Sequence, residues 1–237
     1  MIPSILVVQH QDDCPPALVG QWLVEEGCVL DVRRPYAGDE LPSDSSGHDA
    51  LLVLGGSMGA DDDRTHPWLT RTKQLVRDAV ARRTPVLGIC LGHQLAAVAL
   101  GGEVRANPRG QQLGLLEMGW TDAATHDPVA GRLAATHGVF WNDDLVVRLP
   151  RGSAVLAQTP AGEVQVARMA EAAWGVQLHP EVDDRILAQW ADEDRDRHEA
   201  GVIDSVLTRI AEHRAQLEAH WRPLAVALAH AASADAG

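Results

Sequence analysis

The chain has 237 residues, enough for one substantial α/β domain or two small ones, and with 46% hydrophobic residues it can bury a sizeable core, which excludes wholesale disorder. Aromatic residues make up only 4%, with one Phe and one Tyr, so the core must be built from Val, Leu, Ile and Ala, as in a buried parallel sheet covered by helices. Thirty-three acidic against 20 basic residues give a formal net charge of −13, a surface that repels phosphate backbones and anionic lipid and so excludes nucleic acid and membrane as main partners; most of that charge is accounted for by simple solubility.

Residues 2–9 read as a buried first strand that runs into the polar stretch His10-Gln11-Asp12-Asp13. This N-terminal segment lacks a basic n-region and is too short for a signal h-region, and nowhere does an apolar stretch approach the ~20 residues of a membrane-spanning helix. Residues 15–26 have helical spacing, with Leu18, Trp22 and Leu23 on one face. Residues 29–32 form a short second strand and 49–54 a third, cut off by Gly55-Gly56-Ser57-Met58-Gly59. A helix over 67–83 opens on a proline, as first helical turns often do. Residues 85–89 are a fourth strand, and 91–100 a helix closed by Gly101-Gly102. This alternation predicts an α/β fold with a doubly wound, mostly parallel sheet flanked by helices.

The middle of the chain changes character. Segments at 111–119, 139–141, 154–158, 164–168 and 173–178 are short, strand-like and joined by turns, as expected of continuing sheet with antiparallel additions. From Val182 onward the chain turns helical and charged. Ile203, Leu207, Ile210, Leu217, Trp221, Leu224 and Leu228 recur at three- to four-residue spacing, and Pro223 is expected to end or kink that helix near Trp221. The division expected is one α/β domain over 1–194 and a C-terminal helical extension over 195–237, whose apolar stripe is covered by the domain or by a second copy of the chain; 231–237 reads as a frayed tail.

The strongest local signal is Gly88-Ile89-Cys90-Leu91-Gly92-His93-Gln94, lying between a strand and a helix. G-x-C-x-G is the thiol version of the nucleophile elbow: the nucleophile sits in a strained turn, and the flanking glycines let strand and helix cross closely. Cys90 then stands at a helix N-terminus, where the dipole favours thiolate, and the Leu91 N–H is free to donate to an oxyanion. The three cysteines, Cys14, Cys28 and Cys90, are an odd number without paired spacing, which argues against a disulfide framework or zinc knuckle and for a reducing cytoplasm.

A thiol nucleophile needs a base, and the base an orienting group. Of 11 histidines, His93 is too constrained on the Cys90 helix to reach back, whereas His179 ends a strand whose C-terminal edge is where ligands of such sheets bind. Glu181, beyond the stiffening Pro180, can hold its imidazole in one tautomer. H-x-E alone is a weak signal, and its bland alternative is a solvated surface pair; the elbow is what gives it weight. The loop Gly55-Gly56-Ser57-Met58-Gly59 opens on the same edge and can supply a second oxyanion donor close to a small ligand. Neither G-x-x-x-x-G-K-[ST] nor G-x-G-x-x-G occurs, and Asp61-Asp62-Asp63 follows at once, so a phosphate loop is disfavoured.

Together G-x-C-x-G-H-Q, G-G-x-M-G and H-P-E resemble the class I (triad) glutamine amidotransferases, over residues 2–181, nearest to stand-alone GMP-synthase-amidotransferase-like proteins. The resemblance implies a flavodoxin-like fold, with Cys90 as nucleophile, His179 as base and Glu181 as its orienter. It implies oxyanion-hole amides at Gly56 and Leu91, and substrate contacts at Ser57, Met58 and Gln94. Where the family usually carries His-Gly before an acid, this chain has Trp141-Asn142-Asp143-Asp144, which puts Asn142 and Asp143 at the edge of the expected substrate pocket. No cofactor is implied.

The function expected is hydrolysis of the glutamine side-chain amide, with ammonia released to an acceptor. No S-G-G-x-D-S loop or other ATP-binding motif occurs in the sequence, so an acceptor synthetase is expected on a separate chain, if there is one. The alternatives are a cysteine hydrolase of γ-glutamyl amides or peptides, or a non-catalytic regulatory module; a complete Cys90, His179 and Glu181 set argues against the module. A metal at His10, Asp12, Asp13 and 61–63 is disfavoured, since acidic loops are more often solvated. Trp120, Trp141 and Trp174 are expected in the core or in a pocket wall rather than in a base-stacking platform.

Overall fold

In a computed structural model, which describes residues 2–234, the apolar runs and helical stripes alternate as follows. Strand β1 (Ser4–Val8) leads through α1 (Ala17–Glu25) to β2 (Val29–Arg33) and β3 (Ala50–Val53). Helix α2 (Trp68–Arg82), β4 (Val86–Ile89) and α3 (Leu91–Ala99) follow. Next come β5 (Glu103–Ala106), β6 (Gln112–Glu117), β7 (Gly119–Trp120), the single turn α4 (Asp122–Thr125), β8 (His137–Asn142) and β9 (Asp144–Arg148). Strands β10 (Ala154–Gln158), β11 (Val164–Ala170) and β12 (Ala173–Val176) return to the sheet, and α5 (Asp184–Asp194), α6 (Val202–Glu212) and α7 (Arg214–Ala234) close the described chain.

The central sheet has eight strands in the order β2-β1-β3-β4-β12-β11-β10-β7. β2, β1, β3, β4 and β12 are parallel, and β11, β10 and β7 continue antiparallel. Two ribbons, β5 with β9 and β6 with β8, flank it. Because side chains alternate along a strand, neighbouring residues of β1 serve opposite layers. Ile5 and Val7 pack with Val19, Trp22 and Leu23 of α1, Ile186 and Trp190 of α5, and Trp221 and Leu224 of α7. Leu6 and Val8 pack with Leu69, Leu75 and Val76 of α2 and Leu91 and Leu95 of α3. The result is the doubly wound α/β sheet expected, with a C-terminal edge onto which the loops after β1, β3, β4 and β12 all open.

Three elements differ from expectation. The antiparallel ribbon of β5 and β9 was not foreseen, since both are short and half-exposed and Asp144 opens the second. The C-terminal stripe is two helices, broken at His213. And α7 runs through Pro223 rather than stopping at Trp221. Proline deletes one donor, but Leu217, Trp221, Leu224, Leu228 and Ala232 are all buried in the core, and the Trp221 Nε1–H donates to the His137 carbonyl at 3.1 Å. Packing on that scale outweighs the local penalty of about 3 kcal/mol. Of the tail expected over 231–237, residues to Ala234 are helical and 235–237 lie outside the described residues. No helix among the described residues is long and apolar enough to cross a membrane.

Candidate active site

The strand, turn and helix at 86–99 form a tight elbow. A Cβ on Gly92 would sit 2.0 Å from the Val53 carbonyl oxygen of β3, and one on Gly88 2.4 Å from the Gly92 carbonyl oxygen. Glycine at both places is what allows α3 to leave the sheet so closely. Between them Cys90 has φ +50° and ψ −107°, a backbone conformation that side-chain-bearing residues avoid. The Cys90 N–H donates to the Val176 carbonyl at 2.8 Å, which ties the elbow to the end of β12. Cys90 is itself buried.

Three residues beyond Val176 stands His179. Its N–H donates to the Val139 carbonyl of β8 at 2.8 Å, so its backbone is held between β12 and the β6–β8 ribbon. The His179 Nδ1 lies 2.7 Å from Glu181 Oε1, with both side chains about 2% exposed. The Nδ1–H therefore donates to the carboxylate, and Nε2, which has no hydrogen-bond partner, is left for the thiol side. Burial by itself lowers the His179 pKa, but the Cys90 sulfur and the Glu181 carboxylate outweigh it and raise it to about 10. The other two buried histidines near the elbow behave oppositely: burial lowers His10 to about 3, helped by His66, and lowers His93 to about 4 against a contact with the Gly175 backbone. Both therefore stay neutral near pH 7 and are weak bases. The His10 Nδ1 accepts from Trp68 Nε1–H at 3.2 Å, and both His93 nitrogens are buried without partners.

The glycine loop after β3 lies against the same groups. A Cβ on Gly55 would be 3.2 Å from His179 Cε1 and 3.7 Å from Cys90 Cβ, and one on Gly56 would be 3.0 Å from Leu91 Cδ2. Leu91 is the first residue of α3, so its N–H stands ahead of the helical ladder. The loop is fixed from the β1 side, where Gln11 Oε1 accepts the Ser57 N–H at 2.7 Å and Gln11 Nε2–H donates to Asp13 at 2.7 Å.

These groups border a cavity of about 200 Å³, small beside drug-sized sites and suited to a single amino acid or its amide. Cys90, His179, Gly56 and Ser57 line it together with Trp141, Asp143, Trp190, Glu193, Asp194 and Arg197. Arg197 donates to Asp143 at 2.8 Å and to Asp194 at 2.9 Å. Burial would raise the Asp194 carboxyl, but hydrogen bonds from Gln111, Arg197 and Trp141 outweigh it and hold it below the usual range.

Of the five residues expected to touch substrate, Ser57 and Asp143 border this cavity, and Met58, Gln94 and Asn142 do not. Alternation along β8 and into Asp143 explains Asn142: Trp141 and Asp143 face the cavity, and the residue between them faces inward. Its Nδ2–H donates to Gln112 Oε1 at 3.1 Å and to the Asp144 carbonyl at 3.0 Å. Gln94 is 4% exposed, and its amide nitrogen donates to the Asp144 carbonyl and to Gln177 Oε1, each at 3.2 Å. Met58 packs toward the α2–α3 layer. Of the tryptophans, Trp174 is in the core, its Nε1–H donating to Asp127 at 3.0 Å, and Trp141 is in the cavity wall. Among the described residues no group of three or more His, Cys, Asp or Glu side chains is arranged to hold a metal ion.

Sequence reasoning missed Gln11, Cys14, Trp190, Asp194 and Arg197 as cavity residues. Gln11 and Cys14 follow a strand of the ligand-binding edge, and that position was the one signal available. Trp190 and Asp194 of α5 and Arg197 just beyond it carry none, because only the return of the helix over the sheet edge brings them there.

The chain belongs to the class I glutamine amidotransferase family: residues 18–187 match the family model described as glutamine amidotransferase class-I. It is 30% identical over 165 residues to a glutamine amidotransferase-like protein of Salmonella typhimurium, covering 68% of each chain. It is 35% identical to the glutamine-hydrolysing GMP synthase of Aeropyrum pernix over 76% of its own length but only 33% of that protein, so it spans about a third of that relative. It is 29% identical to gamma-glutamyl peptidase 5 of Arabidopsis thaliana, over 71% of this chain and 68% of that one. The fold is that of a glutamine amidotransferase structure from Thermotoga maritima, with a TM-score of 0.85 at 22% identity over 97% of this chain and 99% of that one.

Proposed function

We propose that this cavity hydrolyses the side-chain amide of glutamine through a γ-glutamyl thioester on Cys90. The observation that carries the reading is a buried imidazole, oriented by a buried carboxylate and with Nε2 unpartnered, bordering the same small cavity as a thiol on a strained elbow. The Cys90 sulfur adds to the δ-carbonyl, and the oxyanion is met by the Gly56 and Leu91 N–H groups. His179, as imidazolium, protonates the departing nitrogen, and ammonia leaves. Neutral His179 then takes a proton from water, the hydroxide adds to the thioester, and glutamate departs with Cys90 restored as thiolate. Ser57 and Asp143 are the substrate contacts that the cavity supports.

Ammonia set free in this way would serve a separate acceptor enzyme, as the relationship to a GMP synthase suggests. The test is ammonia release from glutamine by the purified protein, alone and after addition of cell extract, with Cys90→Ala as control. Stimulation by extract identifies an acceptor, and silence in both conditions rejects glutamine as substrate.

A second reading, a hydrolase of γ-glutamyl amides or peptides, is favoured by one observation. The family match ends at residue 187, yet Trp190, Glu193, Asp194 and Arg197 beyond it line the cavity. Such a wall, lying beyond the residues that the family model matches, can select the group attached to the γ-glutamyl unit, and the similarity to gamma-glutamyl peptidase 5 points the same way. A higher kcat/KM on an N-substituted γ-glutamyl amide than on glutamine decides for this reading.

A further inference from the structure

Beneath the elbow lies a layer of buried amide side chains, Gln94, Gln112, Asn142, Gln165 and Gln177, of which Gln165 and Gln177 are fully buried. Only one of them reaches the thiol: Gln177 Nε2 lies 3.6 Å from Cys90 Sγ, within hydrogen-bond range for sulfur. The direction of that bond is set by its neighbours. The Asp144 backbone carbonyl can only accept, so Gln94 must turn its NH2 toward it. The same NH2 then meets Gln177, which must present Oε1 to it. With its oxygen committed, Gln177 can offer the sulfur only an N–H. The amide is locked further by its own backbone, whose N–H donates to the Gln165 carbonyl at 2.8 Å.

We propose that Gln177 is a positioning residue for the Cys90 sulfur: its N–H, oriented by the relay from the Asp144 carbonyl through Gln94, holds the sulfur from the buried amide layer and keeps it aligned for attack. A hydrogen bond to an anion is about twice as strong as one to a neutral acceptor, so an N–H donor at this place favours thiolate over thiol and restrains the sulfur to one rotamer. The bond also favours thiolate departure when a thioester is cleaved, the second half of the proposed reaction. This inference rests on Cys90 being the reactive thiol. The titratable groups around the sulfur are His179 with Glu181 behind it, Cys14 from the loop after β1, and Asp13 at the cavity wall, and none of them is altered by substitution at 177.

The test is the pH dependence of iodoacetamide alkylation, read at each cysteine by mass spectrometry, in wild type, Gln177→Leu and Gln177→Glu. In wild type Cys90 should react well ahead of buried Cys14 and Cys28; equal slow rates at all three reject the reading of the site itself. Given a reactive Cys90, Gln177→Leu should react about tenfold more slowly near neutral pH and its profile should move up by about one pH unit. Gln177→Glu keeps the shape, but its carboxylate repels the thiolate, so its profile should move in the same direction. Continued protection of Cys14 and Cys28 certifies the fold. A folded Gln177→Leu with the wild-type profile overturns the proposal. If that variant does not fold, a Gln177→Glu profile unchanged or displaced to lower pH overturns it equally.

Discussion

Trp190 of α5 stands edge-on against the His179 imidazole, with ring centroids 4.6 Å apart and planes at 67°. Its Nε1–H donates to the Asp13 carbonyl at 3.1 Å, so the ring is held from the β1 loop while it walls the imidazole. Trp190→Ala should leave a cavity costing about 3–5 kcal/mol of stability and free the imidazole to rotate, with a tenfold or larger drop in kcat for the best amide substrate. Trp190→Phe keeps a ring there and should stay within a fewfold of wild type. Thermal melts and steady-state rates on both variants check this; equal rates in the two would deny the wall any part in orienting His179.

Cys90 carries its strain in the backbone. Cys90→Ala retains a Cβ at φ +50°, whereas Cys90→Gly relieves it. Both should lose amide hydrolysis by at least three orders of magnitude, as loss of one member of an interdependent catalytic set does, at roughly the background rate. The two should differ in stability, with the glycine variant more stable than the alanine variant by about 1 kcal/mol, since relief of strain exceeds the extra entropy of glycine in the unfolded chain. Urea titration of the pair measures it.

The buried neutral histidines make stability depend on pH. Burial lowers His93 to about 4, while in the unfolded chain it titrates near 6.5. The unfolded state therefore takes up a proton that the folded state refuses. The contribution is fully present above pH 6.5 and is lost as pH falls from 6.5 toward 4. His10, lowered to about 3, acts in the same direction. His93→Met fills the space without a titrating group. Its loss of unfolding free energy between pH 7 and pH 5 should be smaller than wild type's by about 2 kcal/mol. Parallel pH curves for the two proteins would contradict a neutral buried His93.

Asp143 and Arg197 form a pair exposed by about half on both sides, so it contributes within about 1 kcal/mol to stability and opens readily. A zwitterionic γ-glutamyl ligand can replace it, with its ammonium on Asp143 and its carboxylate on Arg197. Asp143→Gly and Arg197→Ala should then each raise KM three- to tenfold, with kcat within about twofold, the signature of lost uniform binding. If Asp143 narrows the entrance instead, Asp143→Gly lowers KM. Unchanged kinetics in both variants would remove the pair from substrate recognition.

What the residues themselves determined is local in its physics. Residues 84–100 specify a strand, a crossing that only Gly88 and Gly92 admit, and a helix, because the close approach of α3 to β3 excludes any side chain there. The alternating strands and helices of the first hundred residues likewise specify a parallel sheet, since β1, β3 and β4 are apolar on both faces and must be covered twice. The ligand-binding edge followed from that, and with it the meeting of Cys90 and His179 at the ends of adjacent strands.

Tertiary structure alone decided the rest. Asn142 and Asp143 are adjacent in sequence, but Asn142, the last residue of β8, turns into the amide layer while Asp143, in the bend that follows, borders the cavity. Gln94 carries the right chemistry for substrate contact, yet the Asp144 carbonyl and Gln177 occupy its amide nitrogen, which no local pattern reveals. Pro223 should have ended a helix, and the buried face of α7 kept it going. Trp190, Asp194 and Arg197 reach the cavity because α5 folds back over the sheet edge, about a hundred residues after Cys90 in the chain. That placement is a long-range packing choice, and nothing in the spacing of residues 184–197 encodes it.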